Sequence, residues 1–280
     1  MTDAVPLDHA AFVEHCRADP RELVLVDHRN TRAVVTMHEP ARLNPLSGPL
    51  TVQLLDRLGE LAADPRLRTI VLTGSDPAFS AGGDLRLMQD YAHPVVDGGG
   101  QGATSPWRWI RNQFGGIAKL ITRTDKTFVA AVNGPAAGVG LAFALSCDLL
   151  VASQRAQLVP AFGRIGLVPE VGSSWQLTRR LGYQRAYALF ARGTPLSAQE
   201  ALELGLVNEV VVHDDLAGAA DRWADRVDRL PEHVLPMTKP LLRHAADLTW
   251  EQAIAMEEFA EPMAFTTGGH RAGVAELLAR

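Results

Sequence analysis

The sequence predicts an α/β protein whose sheet is covered by helices on both faces. Two observations carry that expectation. Short continuous apolar runs recur along the first half: TIVLT at 69–73, FVAAV at 128–132 and LLVA at 149–152. Segments with helical spacing of apolar residues interleave with them, and such runs are what strands buried on both sides look like. The 280 residues suit one large domain or two small ones, and 47% hydrophobic with 21% charged residues is the balance of a globular chain.

Element by element, residues 23–28 and 33–38 are two apolar runs separated by Arg29-Asn30-Thr31-Arg32, a polar break that predicts a hairpin. Ser47 caps a helix running to about Ala63, with Leu50, Leu54, Leu55, Leu58 and Leu61 on one face. The three apolar strands follow. Between the first two lies a glycine-rich insert at 92–105, expected to be irregular and mobile. Pro106 then opens a helix-like segment, PWRWIRNQFGGIAKLI. Its Trp107, Trp109 and Phe114 mark either a lid or acyl-pocket wall, or a plain surface excursion. After Val212 the strand pattern stops, and helical segments are expected over 215–229, 238–247, 249–261 and 269–280. The organisation is therefore an α/β core over 1–212, with an N-terminal extension, and a helical region over 213–280 that packs on the core or on a neighbouring subunit. No internal repeat is visible.

Several classes are excluded. A net charge of −5 offers no broad basic surface to nucleic acid or anionic lipid. Cys16 and Cys147 stand far apart, with neither a disulfide framework nor a zinc pattern around them, which points to a reducing compartment. The start MTDAVPLDHAAF has acidic residues and no apolar core, unlike a signal peptide, so the cytoplasm is expected. The uncharged stretch 127–147 is nominally long enough to span a bilayer, but Asn133-Gly134-Pro135 breaks it. A buried strand, a turn and a buried helix fit it better. The nine histidines form no metal-binding pattern. The dinucleotide, Walker and nucleophile-elbow motifs are all absent.

Two glycine-rich turns are the places where chemistry can sit. One is Phe79-Ser80-Ala81-Gly82-Gly83-Asp84-Leu85; the other is Asn133-Gly134-Pro135-Ala136-Ala137-Gly138-Val139-Gly140. Each follows a strand and precedes helical sequence. Glycine permits close backbone approach, and a helix start presents free N–H groups. Side by side, two such turns form an oxyanion hole; apart, they are ordinary strand-to-helix connections.

These segments resemble the crotonase superfamily, the enoyl-CoA hydratase/isomerase fold. The resemblance rests on TIVLTGSDPAFSAGGDLRL (69–87), TFVAAVNGPAAGVGLAFALSCDLLVAS (127–153) and residues 156–180. It is supported by Leu43-Asn44-Pro45-Leu46-Ser47, Gly182-Tyr183-Gln184-Arg185-Ala186, AQEALELGLVNEVV (198–211) and residues 265–280. It implies a crotonase-like core of repeated ββα units with a helical C-terminal region that supports trimers, often paired into hexamers. It also implies an acyl-CoA thioester as substrate, no cofactor beyond that coenzyme A, and no metal. The N–H groups of Gly83 and Val139 become the expected oxyanion donors. Arg42, Asn44, Ala81, Asp84, Leu85, Gly138, Ala142 and Phe162 are the expected substrate-binding residues, with Arg42 facing the CoA phosphates or simply solvent. Asp84 is also expected to fix its own turn by local hydrogen bonds. Lys239 and Arg243 are candidates for a phosphate bound to a neighbouring subunit.

Family hydratases carry two glutamates that position water and move a proton. Here those positions read Ala142 and Phe162, and neither side chain can exchange a proton. The segment Ile165-Gly166-Leu167-Val168-Pro169-Glu170-Val171-Gly172 resembles the place where some enoyl-CoA isomerases hold a single catalytic carboxylate. Peroxisomal-type isomerases have glutamate there; ring-modified phenylacetyl-CoA isomerases and 4-chlorobenzoyl-CoA dehalogenases have aspartate. Glu170 is thus the expected base, with its pKa raised by Leu167, Val168 and Val171 if it faces the pocket. The plain alternative is that it caps the helix that starts near Gly172. A shift of a double bond from position 3 to position 2 needs only one proton shuttle. Hydration of a 2-enoyl-CoA and non-catalytic acyl-CoA binding stand as alternatives. Dehalogenation is weaker, because glutamate carries the attacking oxygen one methylene further out than aspartate.

Overall fold

The computed structural model describes residues 8–97 and 103–279. Its main sheet has six strands in the order Val24–Arg29, Arg32–Met37, Thr69–Gly74, Thr127–Val132, Leu149–Ser153 and Glu209–Val211. The first pair is antiparallel, from Val24 opposite Met37 to Arg29 opposite Arg32. Its two-residue turn needs a left-handed residue, and Asn30 supplies one with φ 53°. Every later pairing is parallel.

Alternate residues of these strands enter two apolar layers. Val71, Val129, Ala131 and Val151 pack with Leu216, Ala219 and Ala220 of the helix Leu216–Asp228. Ile70, Leu72, Phe128 and Ala130 share the other layer with Leu50, Leu54, Leu58, Ile117 and Phe143. Both faces are covered, as the continuous apolar runs require. The helix Gly48–Ala63 starts as expected, with the Ser47 side chain accepting from the Leu50 N–H.

The repeating unit is a long strand, a very short strand and a helix. Arg32–Met37 is followed by Pro45–Leu46 and Gly48–Ala63; Thr127–Val132 is followed by Pro135–Ala137 and Val139–Ser146. The short strands make separate small sheets, Pro45–Leu46 with Gly82–Gly83, and Pro135–Ala137 with Gln157–Val159 and Leu196–Ser197. Two- and three-residue strands leave no periodicity in a sequence, which is why the repeat is invisible there.

The insert departs from the expected irregular stretch in part, while the helix expected from Pro106 is present. His93–Asp97 and Thr104–Trp109 are helical, flanked by π-helical turns at Met88–Ala92 and Ile110–Phe114. Residues 98–102 of the expected irregular stretch lie outside the described residues. The helical parts are held by burial: Tyr91, Val95, Trp109 and Phe114 all join the core, whereas Trp107 is 55% exposed with the Arg111 guanidinium over its ring. The N-terminal extension also forms an element, the helix His9–Arg17, which buries Phe12 and Cys16.

The C-terminal helices are Leu216–Asp228, Val234–Ala245, Trp250–Phe265 and Gly268–Leu278. Lys239 is not free to meet a phosphate, contrary to the expectation from sequence, and Arg243 turns one end of its guanidinium to the core. Lys239 Nζ donates to the Ile121 carbonyl (2.8 Å), the Lys126 carbonyl (2.7 Å) and Asp148 (2.8 Å), which uses all three of its N–H groups. Arg243 donates to the Ser146 carbonyl and to Asp148 at 2.6 Å. The pair anchors the helix Val234–Ala245 to the core. The 127–147 stretch is strand, turn and the helix Val139–Ser146, and no helix among the described residues is long and apolar enough to cross a membrane.

Candidate active site

The two glycine turns meet through their backbones. The Ser80 N–H donates to the Pro135 carbonyl (3.1 Å), and the Ala137 N–H returns a bond to the Ser80 carbonyl (2.9 Å). Glycine is required where the chains touch. Gly82 has φ 87°, and a Cβ there would lie 2.5 Å from the Ala137 carbonyl oxygen. A Cβ on Gly140 would fall 2.8 Å from that of Ser80. Asn44 ties the first turn down from behind. It is fully buried and donates to the carbonyls of Ser75 and Ala78, both at 2.7 Å.

This docking brings Gly83 and Val139 to one cleft. Val139 is the first residue of the helix Val139–Ser146, so its N–H has no acceptor within that helix. The cleft, about 270 Å³, is lined by Ala81, Gly83, Leu85, Met88, Gly138, Val139, Ala161, Phe162, Arg164, Ile165, Leu167 and Glu170.

Glu170 is the one carboxylate among those lining residues. Oε2 of its side chain is buried without a hydrogen-bond partner. Burial pushes its carboxyl up to about 7 from an ordinary 4.5. The turn that holds it is left-handed at two successive residues, Val171 (φ 55°) and Gly172 (φ 79°). The helix Ser173–Leu181 begins at Gly172 with no side-chain cap, so the Glu170 carboxylate is not a helix cap. A half-buried acid with one oxygen enclosed and unpaired in a cleft is the arrangement that tunes a general base toward neutral pH.

The sequence-derived candidates divide on this geometry. Ala81, Gly83, Leu85, Gly138, Val139, Phe162 and Glu170 converge on the cleft. Ala142 is buried inside its helix and does not line it. Asn44 spends its amide on backbone carbonyls. Asp84 accepts from the Arg86 N–H (3.0 Å) and from Arg42 (2.7 Å), and Arg42 also meets Glu39 at 3.2 Å. Arg42 and Asp84 therefore brace the first turn against the loop that carries Leu43. Of the three apolar neighbours expected around Glu170, Leu167 lines the cleft and Val171 packs on the core, while Val168 is 76% exposed and does not line the cleft. Sequence reasoning missed Met88, Ala161, Arg164 and Ile165. Met88 was within reach, three residues after Leu85 on the same helical face.

Residues 27–274 match the family described as enoyl-CoA hydratase/isomerase. The chain is 30% identical to the 1,2-epoxyphenylacetyl-CoA isomerase of Escherichia coli (strain K12), over 88% of this chain and 91% of that protein. It is 32% identical to 4-chlorobenzoyl coenzyme A dehalogenase-1 of Arthrobacter sp, over 84% of this chain and 82% of the other. The chain belongs to the enoyl-CoA hydratase/isomerase family. The crystal structure of an enoyl-CoA hydratase from Polaromonas sp. JS666 superposes with a TM-score of 0.82 at 28% identity, covering 91% of this chain and 96% of that one. Enoyl-CoA hydratase/isomerase membership makes the protein an acyl-CoA enzyme with a crotonase fold. The relatives carry three different reaction names, so membership alone leaves the reaction open.

Proposed function

We propose that the protein isomerises 3-enoyl-CoA to 2-enoyl-CoA with Glu170 as its single acid–base group. The observation that carries this reading is the buried, partnerless Oε2 of Glu170 in the cleft that Gly83 and Val139 also line. The ionised carboxylate takes a proton from C2 of the thioester. The C–H electron pair moves onto the carbonyl, and the enolate oxygen accepts from the Gly83 and Val139 N–H groups. The same carboxyl then delivers the proton to C4 as the double bond moves from C3–C4 to C2–C3. No proton or electron is gained or lost over the cycle, and Glu170 ends ionised. Phe162 and Ala142, standing where family hydratases hold acids, supply no second group to activate water.

The substrate is an acyl-CoA thioester, and no nucleic acid or membrane takes part. Assembly as a homotrimer, or two trimers paired, is supported by large apolar side chains left on the C-terminal helices, including Trp250 (71% exposed), Phe259 (77%) and Leu277 (70%). Two buried free thiols, Cys16 and Cys147, suit a reducing compartment, and we place the protein in the cytoplasm.

Incubation with a 3-enoyl-CoA, followed through absorbance of the conjugated product, tests the reading. Glu170→Gln keeps the shape and removes the base, so turnover should fall by several orders of magnitude. Equal turnover in that variant removes Glu170 from the mechanism. Formation of 3-hydroxyacyl-CoA from a 2-enoyl-CoA favours hydration instead, and thioester binding with no turnover on either substrate favours a non-catalytic binder.

A further inference from the structure

The helix His9–Arg17 lies ahead of the family match, which begins at residue 27, yet it is tied to the wall of the cleft. Phe12 of this helix stacks face to face on Tyr91, with ring centroids 3.9 Å apart. Tyr91 belongs to the π-helical turn Met88–Ala92, and Met88 from that turn lines the cleft. A Cβ placed on Gly83 would fall 2.8 Å from Met88 Cε, so this side chain stands directly against an expected oxyanion donor. Phe12 also meets Trp109 at 5.3 Å, and the Tyr91 hydroxyl meets Ser105 Oγ at 3.0 Å. One aromatic ring thus holds both helical arms of the insert.

The helix is seated firmly on its other side. A Cβ on Gly48 would lie 2.5 Å from Cys16 Sγ, so the helix Gly48–Ala63 presents a glycine where Cys16 descends. Beside the stack the surface is open. A groove of about 470 Å³, open to solvent, is bounded by Phe12, Leu87 and Tyr91 together with charged side chains such as Arg42, Asp84 and Arg86. The turn Met88–Ala92 has this open side toward which it can shift, and the Phe12 ring stacked on Tyr91 opposes that shift.

We propose that the helix His9–Arg17 is a specificity element: through the Phe12–Tyr91 stack it pins the Met88 wall and restricts the cleft to short acyl chains. This rests on the acyl-CoA reading of the cleft given above. Phe12 touches no substrate and acts through Tyr91, so its effect falls on the ratio between long and short thioesters. A residue that merely stabilised the fold would lower all of them together.

Calorimetric titration of the full-length protein with saturated four-carbon and ten-carbon acyl-CoA thioesters reads this without needing turnover. In the wild type the short thioester binds more tightly. Phe12→Ala should shift the long-to-short affinity ratio toward the long chain by at least about tenfold, a range that one or two methylenes in an apolar pocket can command. Phe12→Leu retains apolar volume but loses the flat stacking face; it should shift the ratio in the same direction, and it serves if the alanine variant does not fold. A ratio unchanged from wild type in folded Phe12→Leu overturns the proposal, as does a wild type that already prefers the long chain. If 3-enoyl thioesters bind but are not isomerised, the isomerase reading fails while this one is still decided by the binding ratios.

Discussion

The carbonyl oxygen of Glu170 accepts two hydrogen bonds from Ser173, one from its N–H at 3.0 Å and one from its hydroxyl at 2.8 Å. Ser173 is fully buried. The two bonds close the left-handed turn through Val171 and Gly172, a conformation that costs a β-branched residue about 1–2 kcal/mol and persists only when neighbours hold it. The carboxylate is therefore aimed into the cleft by a fixed backbone.

Ser173→Ala removes the hydroxyl donor and leaves the N–H bond. The lost bond is worth about 1 kcal/mol, and its effect should appear as a several-fold lower kcat with KM unchanged. Ser173→Thr, which restores a hydroxyl, should recover most of the rate. Loss of KM without loss of kcat would show that Ser173 does not position Glu170.

The raised carboxyl of Glu170 makes stability depend on pH in a definite direction. Below about 4.5 both the folded and unfolded chains hold the proton, and the group costs nothing extra. As pH rises from there to about 7, the unfolded chain ionises first, so stability is progressively lost. Above that range the difference amounts to about 3 kcal/mol. Glu170→Gln should therefore melt higher than wild type at pH 8 and match it near pH 4. Activity runs the opposite way, because the base must be ionised: kcat/KM should rise with pH through a midpoint near 7. Coincident melting curves at pH 8 would show the carboxyl to be solvated.

The two adjacent glycines of the first turn should respond differently to alanine. At Gly82 the new methyl meets the Ala137 backbone at 2.5 Å in a left-handed conformation, so the turns must separate. At Gly83 it meets only the flexible end of Met88. Gly82→Ala is expected to lower kcat by about a hundredfold or more, the scale of losing one oxyanion donor. Gly83→Ala should chiefly raise KM. Similar kcat values for the two variants would separate the docking of the turns from catalysis.

Lys239→Met should destabilise the fold by about 3 kcal/mol, because it leaves Asp148 and two carbonyls short of a buried donor. Chemical denaturation measures this. A change near zero would mean that water replaces the ammonium freely.

Much of this was legible in the residues. The hairpin followed from Asn30 in a polar break, the helix Gly48–Ala63 from Ser47 and its leucines, and the strands from their uninterrupted apolar runs. Both glycine turns were located, but their docking through Ser80 and Ala136 was not, because a long-range backbone pairing leaves no local pattern. The expectation of a neighbouring subunit's phosphate fails for Lys239, because nothing in a helical stretch signals that a lysine will turn inward to three acceptors. The helix from Pro106 was legible in its apolar residues, and Trp109 and Phe114 join the core, but the glycines of 92–105 give no sign that His93–Asp97 is helical. Position 170 was legible only through the resemblance; its missing partner needed coordinates.

The most direct measurement is the fate of deuterium placed at C2 of a 3-enoyl-CoA. With both C2 positions labelled, wild-type protein should remove one deuterium from C2 and deliver it partly to C4 of the 2-enoyl product, since one carboxyl carries it between the two carbons, while the other deuterium stays on C2. In Glu170→Gln the label should stay at C2. Loss of C2 deuterium at an undiminished rate in Glu170→Gln would contradict the account.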